Sequence, residues 1–251
     1  MMNIAEKIMR AKADYDEVFE AGQKSEYDRF WDTYQCNGER NIYYYGFSGA
    51  GWNEETFKPK YKIVPKAGQT TTQGMFAGFS ANNGISGIKI VDFTKLSEMI
   101  DFSQATTAPN TFDSAYIKNL TVDFSNLTSM NSTFALNNGG NVDGIIIKVS
   151  EKCTSFSNAF YNNYNLKNIC FTEDSIIAGS INFKWSSGLY KASIINIINT
   201  LSFTTSAYTV TFSKTAVNNA FETTAGAADG TTSQEWANLI ATKSNWTISL
   251  V

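Results

Sequence analysis

Four aspartates in the middle of the chain, Asp92, Asp101, Asp123 and Asp143, have side chains that could do chemistry. Two carboxylates facing each other across a cleft can hydrolyse a glycosidic bond, one as acid and the other as base or nucleophile. A ladder of carboxylates with asparagine carbonyls could instead hold calcium. The spacing favours neither. Asp92 and Asp123 stand at the same place in two copies of one segment, VDFTKLSEM (91–99) and VDFSNLTSM (122–130), and a repeat produces that without any site. No EF-hand or nonapeptide loop accompanies them.

The chain contains no histidine, which excludes Ser-His-Asp and Cys-His catalysis and histidine-ligated metals. Cys36, Cys153 and Cys170 are too few and too far apart for a disulfide framework or a zinc site, and they read as thiols of a reducing compartment. The glycine-rich run GFSGAG (46–51) lacks the GxGxxG order of a nucleotide loop, misses GxSxG by one position, and reads as a turn or cap. The expectation is a non-enzymatic protein with no catalytic, cofactor-binding or metal-ligating residue and no cofactor.

The elements around these residues fall into unlike parts. The 251 residues carry 20 Lys+Arg and 23 Asp+Glu, and 21 of those 43 charges lie in the first 66 positions. A net charge of −3 offers no long-range attraction to nucleic acid or anionic membranes. No run approaches the ~18 apolar residues of a membrane span. The opening MMNIAEKIMRAKADYDE has no apolar core of a secretory signal, so the chain is expected to be made in the cytoplasm without a signal peptide. Its N-x-[ST] sites at Asn119, Asn126, Asn131 and Asn245 then carry no meaning.

Residues 3–20 predict a helix in which Ile4, Ile8, Ala11, Tyr15 and Val18 form one apolar stripe, suited to docking or to oligomerisation. A second helix from Ser25 bears Tyr27, Phe30, Trp31 and Tyr34. Segments 1–40 and 41–69 thus read as a docking helix segment and an aromatic, glycine-rich cap.

Over 70–190 the sequence repeats. VDFSNLTSMNSTF (122–134) aligns without gaps on KVSEKCTSFSNAF (148–160), and Phe112, Phe134, Phe160 and Phe183 recur at a similar spacing. IKIVDF (88–93), IKNLTVDF (117–124), GIIIKV (144–149) and LKNICF (166–171) lie between these anchors. One short strand per unit of roughly 22–31 residues predicts an α+β solenoid with a single parallel sheet and a phenylalanine core. Asn-rich turns suit its corners. From 191 a helix (KASIINIINTL), a strand (AYTVTFS), a helix capped by Ser233 and a last strand (NWTISLV) read as a C-terminal cap, with Val251 packed in a sheet.

The LTSM–NSTF and CTSF–SNAF units, LKNICF and SINFKWSSGLYKASIINIINTL resemble the BspA-type leucine-rich repeat family over residues ~70–251. The N-terminal stretch is similar to a module carried by repeat proteins in phages and prophages of gut Firmicutes. The resemblance implies an irregular leucine-rich-repeat-like solenoid for adhesion or protein binding, with no catalytic residues to carry over. Without a signal peptide, the reading that follows is a virion component synthesised in the bacterial cytoplasm: a phage tail or baseplate protein. Its N-terminal helix would dock on other virion proteins or form a homo-oligomer, and its repeat face would bind a host cell-surface protein or glycan. Neither nucleic acid nor membrane insertion is expected. The alternatives are an assembly or decoration protein touching only other virion proteins, and a bacterial BspA-like adhesion module. Tyr161 and Tyr164, aromatics in the Asn-rich turns, are the candidate binding residues.

Overall fold

The structure, a computed structural model, describes residues 63–65, 70–82, 88–137, 139–203, 207–224 and 228–251. The stripe Ile4, Ile8, Ala11, Tyr15 and Val18, the aromatic face at 27–34 and the GFSGAG run lie outside these residues.

Short β-rich runs punctuated by asparagine and glycine give short strands, and the long-range pairs among them are parallel. Strands β1 (Ala81–Asn82) and β2 (Ile88–Lys89) form a small antiparallel pair. β3 (Val91–Asp92), β4 (Tyr116–Lys118) and β6 (Asn141–Asp143) make one parallel sheet, whose central register is Val91 on Ile117 on Val142. β5 (Thr121–Phe124), β7 (Ile145–Val149) and β8 (Ile169–Phe171) make a second, with Val122 on Ile147 on Phe171. A third ladder consists of single bridges, Thr71 on Thr107 on Ser129 on Ser155. The fold is α+β, built on small parallel sheets, and the single sheet expected from the sequence is divided into separate ladders.

Two backbone corners explain the division. IKNLTVDF, expected as one strand, breaks at Asn119 (φ 59°) into β4 and β5, and the next segment breaks at Gly144 (φ 65°) into β6 and β7. The corners stack: the Asn119 N–H donates to the Asp143 carbonyl at 3.1 Å, and a Cβ on Gly144 would lie 2.8 Å from Asn119 Oδ1. A side chain at Gly144 would be strained by this φ and would have to displace the Asn119 amide.

The register also corrects the gap-free repeat. Ser129 does bridge Ser155, its counterpart in that alignment, but Val122 pairs with Ile147 and not with Lys148. The strand therefore runs one position out of phase with the turn that follows it. The extra residue lies between them, since a slip within the strand would turn Val122 and Phe124 outward. Likewise, the ring stacked on Phe124 is Phe102 of the nearer IDFS segment, at 6.0 Å, so the 91–99 copy is not its neighbour in the core.

One column of rings runs through the core. Phe76, Phe112, Phe134, Phe160, Phe183 and Phe212 stack in sequence with centroids 5.2, 5.3, 5.6, 4.8 and 6.0 Å apart. All six are fully buried. The turns beside this column repeat in backbone as well, with Gly74, Asn110, Ser132 and Asn158 all at φ between 54° and 62°. Three of the ring amides donate to a carbonyl in the next turn: Phe76 to Thr111 (2.7 Å), Phe112 to Thr133 (2.8 Å) and Phe134 to Ala159 (2.9 Å).

After Leu189 the chain forms α1 (Lys191–Thr200), β10 (Tyr208–Phe212), α2 (Lys214–Phe221), α3 (Gln234–Ala241) and β11 (Trp246–Leu250). β9 (Ile181–Phe183), β10 and β11 form a parallel sheet with β10 in the centre. α3 begins as expected at Ser233, whose Oγ accepts from the Trp236 N–H at 3.0 Å. α2 was not expected, because KTAVNNAF is poor in strong helix formers. It forms because Ala216, Val217 and Phe221 bury one face. Val251 is 62% exposed, against expectation. Only its backbone is engaged, its N–H on the Phe212 carbonyl (3.1 Å) and its own carbonyl accepting from Lys214 (2.7 Å).

Candidate binding surface

The four aspartates are occupied by the backbone. Asp92 Oδ1 accepts from the N–H and hydroxyl of Thr94, at 2.9 and 2.6 Å, and the carboxylate also meets Asn119 Nδ2 and, at 3.2 Å, Lys118 Nζ. Partial burial raises its pKa, but these donors together outweigh burial and hold the carboxyl well below the ordinary carboxylate range. Asp101 accepts from Ser103 and Asp123 from the Ser125 N–H, the same turn at the end of a strand. Asp143 Oδ1 accepts from the N–H groups of Lys167 and Asn168, at 2.8 and 2.7 Å. The VDF/IDF repetition is thus a turn signal: a short acid whose oxygen accepts the amide two residues on. Among the described residues no cluster of three or more acids or cysteines has the geometry to hold a metal ion.

Two free thiols lie in opposite surroundings. Cys153 is fully buried and burial pushes its pKa up to about 12, whereas Cys170 lies exposed on β8, beside Ile146 of β7. Around this pair a concavity of about 380 Å³ opens between β7, β8 and α1. Part of its polar lining is already engaged. Ser193 Oγ accepts from the Ile169 N–H and donates to the Lys167 carbonyl, each at 3.1 Å. Asn196 accepts from the Phe171 N–H at 2.7 Å and donates to its carbonyl at 2.9 Å. The helix thereby stands in for a missing strand at the edge of β8.

Tyr161 and Tyr164 sit where the turn column reaches the surface. Asn158 (φ 54°) and Asn162 (φ 57°) are left-handed on either side of Tyr161, which turns its ring out while Phe160 points inward. Tyr161 is 36% and Tyr164 56% exposed. Both rings meet Trp185 nearly at right angles, with centroids 5.8 and 5.5 Å away. The Lys184 ammonium lies 4.7 Å from the centre of the same indole. Between them is a small cleft of about 80 Å³, lined by Asn158, Tyr161, Asn182, Lys184 and Trp185. The structure therefore brings both tyrosines together around one tryptophan.

Sequence reading missed Trp185 and Lys184. The signal was present, since the step that carries Phe160 onto Phe183 also sets Tyr161 beside Lys184 and Asn162 beside Trp185. No family model, curated protein or solved structure matches this chain.

Proposed function

We propose that the chain is a leucine-rich-repeat-like solenoid of a phage tail or baseplate that binds a host cell-surface protein or glycan. The parallel registers of the two central sheets, each strand paired with its counterpart one repeat later, and the unbroken phenylalanine column support the solenoid reading. The observation that carries the binding role is the exposed pair Tyr161 and Tyr164 packed against the half-buried Trp185, on left-handed turns with asparagine and lysine around it. Aromatic rings with a polar rim are the usual anchors of protein and sugar recognition. One such cluster is a weak contact, and copies arrayed on a particle make it useful through avidity.

The test is binding of the full chain, displayed multivalently on beads, to envelopes of susceptible bacteria. Capture that Trp185→Ala or Tyr164→Ala abolishes supports the reading, and absence of capture on every susceptible envelope overturns it. For the docking helix, the mass in solution of the full chain is compared with that of Ile4→Asp/Ile8→Asp. An oligomer that becomes a monomer supports assembly through this stripe.

A further inference from the structure

We infer that the cleft between Tyr161 and Trp185 receives a negatively charged substituent, a carboxylate or phosphate, of a surface sugar polymer. This rests on the host-binding reading above and names the ligand class.

Charge comes first. Of the residues lining the cleft, Lys184 alone is charged, and among the described residues it makes no ion pair. Hydrogen-bonding capacity points the same way. Asn182 spends its Oδ1 on the Lys184 N–H at 2.9 Å, which leaves its amide nitrogen to donate outward. Asn158 is exposed, and its side-chain amide, like the Tyr161 hydroxyl, has no partner among the described residues. An ammonium, amide N–H groups and a phenol converge without a carboxylate, so the cleft offers donors in excess of acceptors. An anion with several oxygens satisfies that set, whereas a cation would face the Lys184 charge.

Size narrows the ligand further. A volume of about 80 Å³ is far below the ~300–1,000 Å³ of pockets that enclose a whole small molecule. The cleft therefore admits a substituent, and the rest of the ligand lies outside it. Tyr164, more than half exposed and in contact with the same indole, is the ring against which a sugar can rest. Lys184 now lies over Trp185 in a cation–π contact, and an arriving anion draws its ammonium from the ring face.

The experiment uses the full chain displayed multivalently, with three probes: polygalacturonate for a carboxylate, poly(glycerol phosphate) for a phosphate, and neutral dextran. Susceptible envelopes are measured in parallel. At least one charged polymer should bind and dextran should not, with binding weakening as salt rises from about 50 to about 200 mM. Lys184→Gln should weaken it about tenfold, the scale of one charge-assisted hydrogen bond, and Lys184→Glu should abolish it. Both substitutions are at an exposed position and should leave the thermal midpoint unchanged. The assignment is overturned if neither charged polymer binds, if dextran binds equally well, or if Lys184→Gln binds like the parent. Envelope capture that Lys184→Gln leaves intact removes this ligand class and keeps the host-binding reading. Charged-polymer binding without envelope capture keeps the cleft and removes the host role.

Discussion

Between Thr71 and Leu189 most segments lean on the matching segment of the next repeat, whereas beyond Lys191 part of the chain is held by single side chains, those of Lys243 and Trp246, that reach back over 42–44 residues. In the first region the same few devices recur: one ring in the column, one left-handed turn, and an acid or asparagine closing several of the strands. In the second, single contacts do particular jobs. Lys243 is almost fully buried, with its ammonium on the carbonyls of Asn199 (3.1 Å) and Leu201, at the C-terminal end of α1. The Trp246 indole N–H reaches the Ser202 carbonyl at 2.9 Å. The C-terminal end of a helix carries partial negative charge, so a lysine there is well placed even when buried. A stacked region can be extended or shortened by whole units, while the block that follows it here is held by contacts that do not repeat.

The comparison is broken most directly by removing one ring from each region. Phe134→Ala should cost about 3–5 kcal/mol in denaturant unfolding, since the ring is fully buried and stacked on both faces. Trp236→Ala, which empties the space between Phe212 and Phe221, should cost a similar amount. The two should differ in reach. Amide exchange in the first variant should quicken in the turns at Thr111 and Ala159, and in the second only within 191–251. Spread of the Trp236 effect into the 111 and 134 turns would show one cooperative unit in place of two.

Alkaline pH should then act on the two regions with opposite sign. The Cys153 thiol, raised by burial from 9.0 to about 12, stays protonated in the fold while the unfolded thiol ionises. Its contribution is complete below pH 9 and is lost as pH rises toward 12, at about 1.4 kcal/mol per pH unit. Burial instead lowers the pKa of the Lys243 ammonium below the ordinary 10.5, so between the lowered value and 10.5 the unfolded chain holds more protons and stability rises with pH. Urea midpoints from pH 8 to pH 11 should fall less steeply in Cys153→Ala than in the parent, and more steeply in Lys243→Met. Equal slopes in all three chains would remove both assignments.

Smaller effects sharpen the boundary. Asn196→Ala strips both hydrogen bonds from the edge at Phe171, which is buried, and should cost about 2 kcal/mol in urea unfolding. The opposite edge of the same sheet is held by Ser97, whose Oγ accepts from the Thr121 N–H at 2.8 Å. Thr121 is exposed, so water replaces the hydroxyl and Ser97→Ala should cost less than about 1 kcal/mol. An equal cost at the two edges would mean that α1 is no more than a surface cover.

Much of this was legible, and the reason differs by feature. Four rings of the column, Phe112, Phe134, Phe160 and Phe183, could be read because their spacing survives irregular turns, whereas Phe76 and Phe212 could not. Ser233, the helix it caps and the strand at 208–212 could be read because their signals are local. The breaks at Asn119 and Gly144 were hidden inside runs with good β character, since a corner needs one residue of positive φ and the flanking residues remain strand formers. α2 was hidden for the converse reason, as its tertiary face overrides weak propensity. Tyr161 and Tyr164 were nominated from their turns, but Trp185 required carrying the ring spacing outward, from the core position to its exposed neighbours.

The smallest effect tests whether the turns are equivalent. Gly74, Asn110, Ser132 and Asn158 share one left-handed conformation, yet serine is the least suited of the three residue types to it. The Ser132 N–H donates to the Ser157 carbonyl at 2.9 Å, so the ladder holds the residue in place. The strain is thus carried by bonds between neighbouring turns. Ser132→Asn should relieve part of it and raise stability by about 0.5 kcal/mol, measured against Ser132→Gly. Glycine gains the same relief but frees the unfolded chain, which takes back about 0.4–1 kcal/mol, so its net change should lie near zero. Asparagine above glycine would place Ser132 in the same turn as Asn110 and Asn158. Loss of stability in both would mean that the serine hydroxyl, not the backbone angle, sets this position, and the turn at 132 would then be a local exception within the stack.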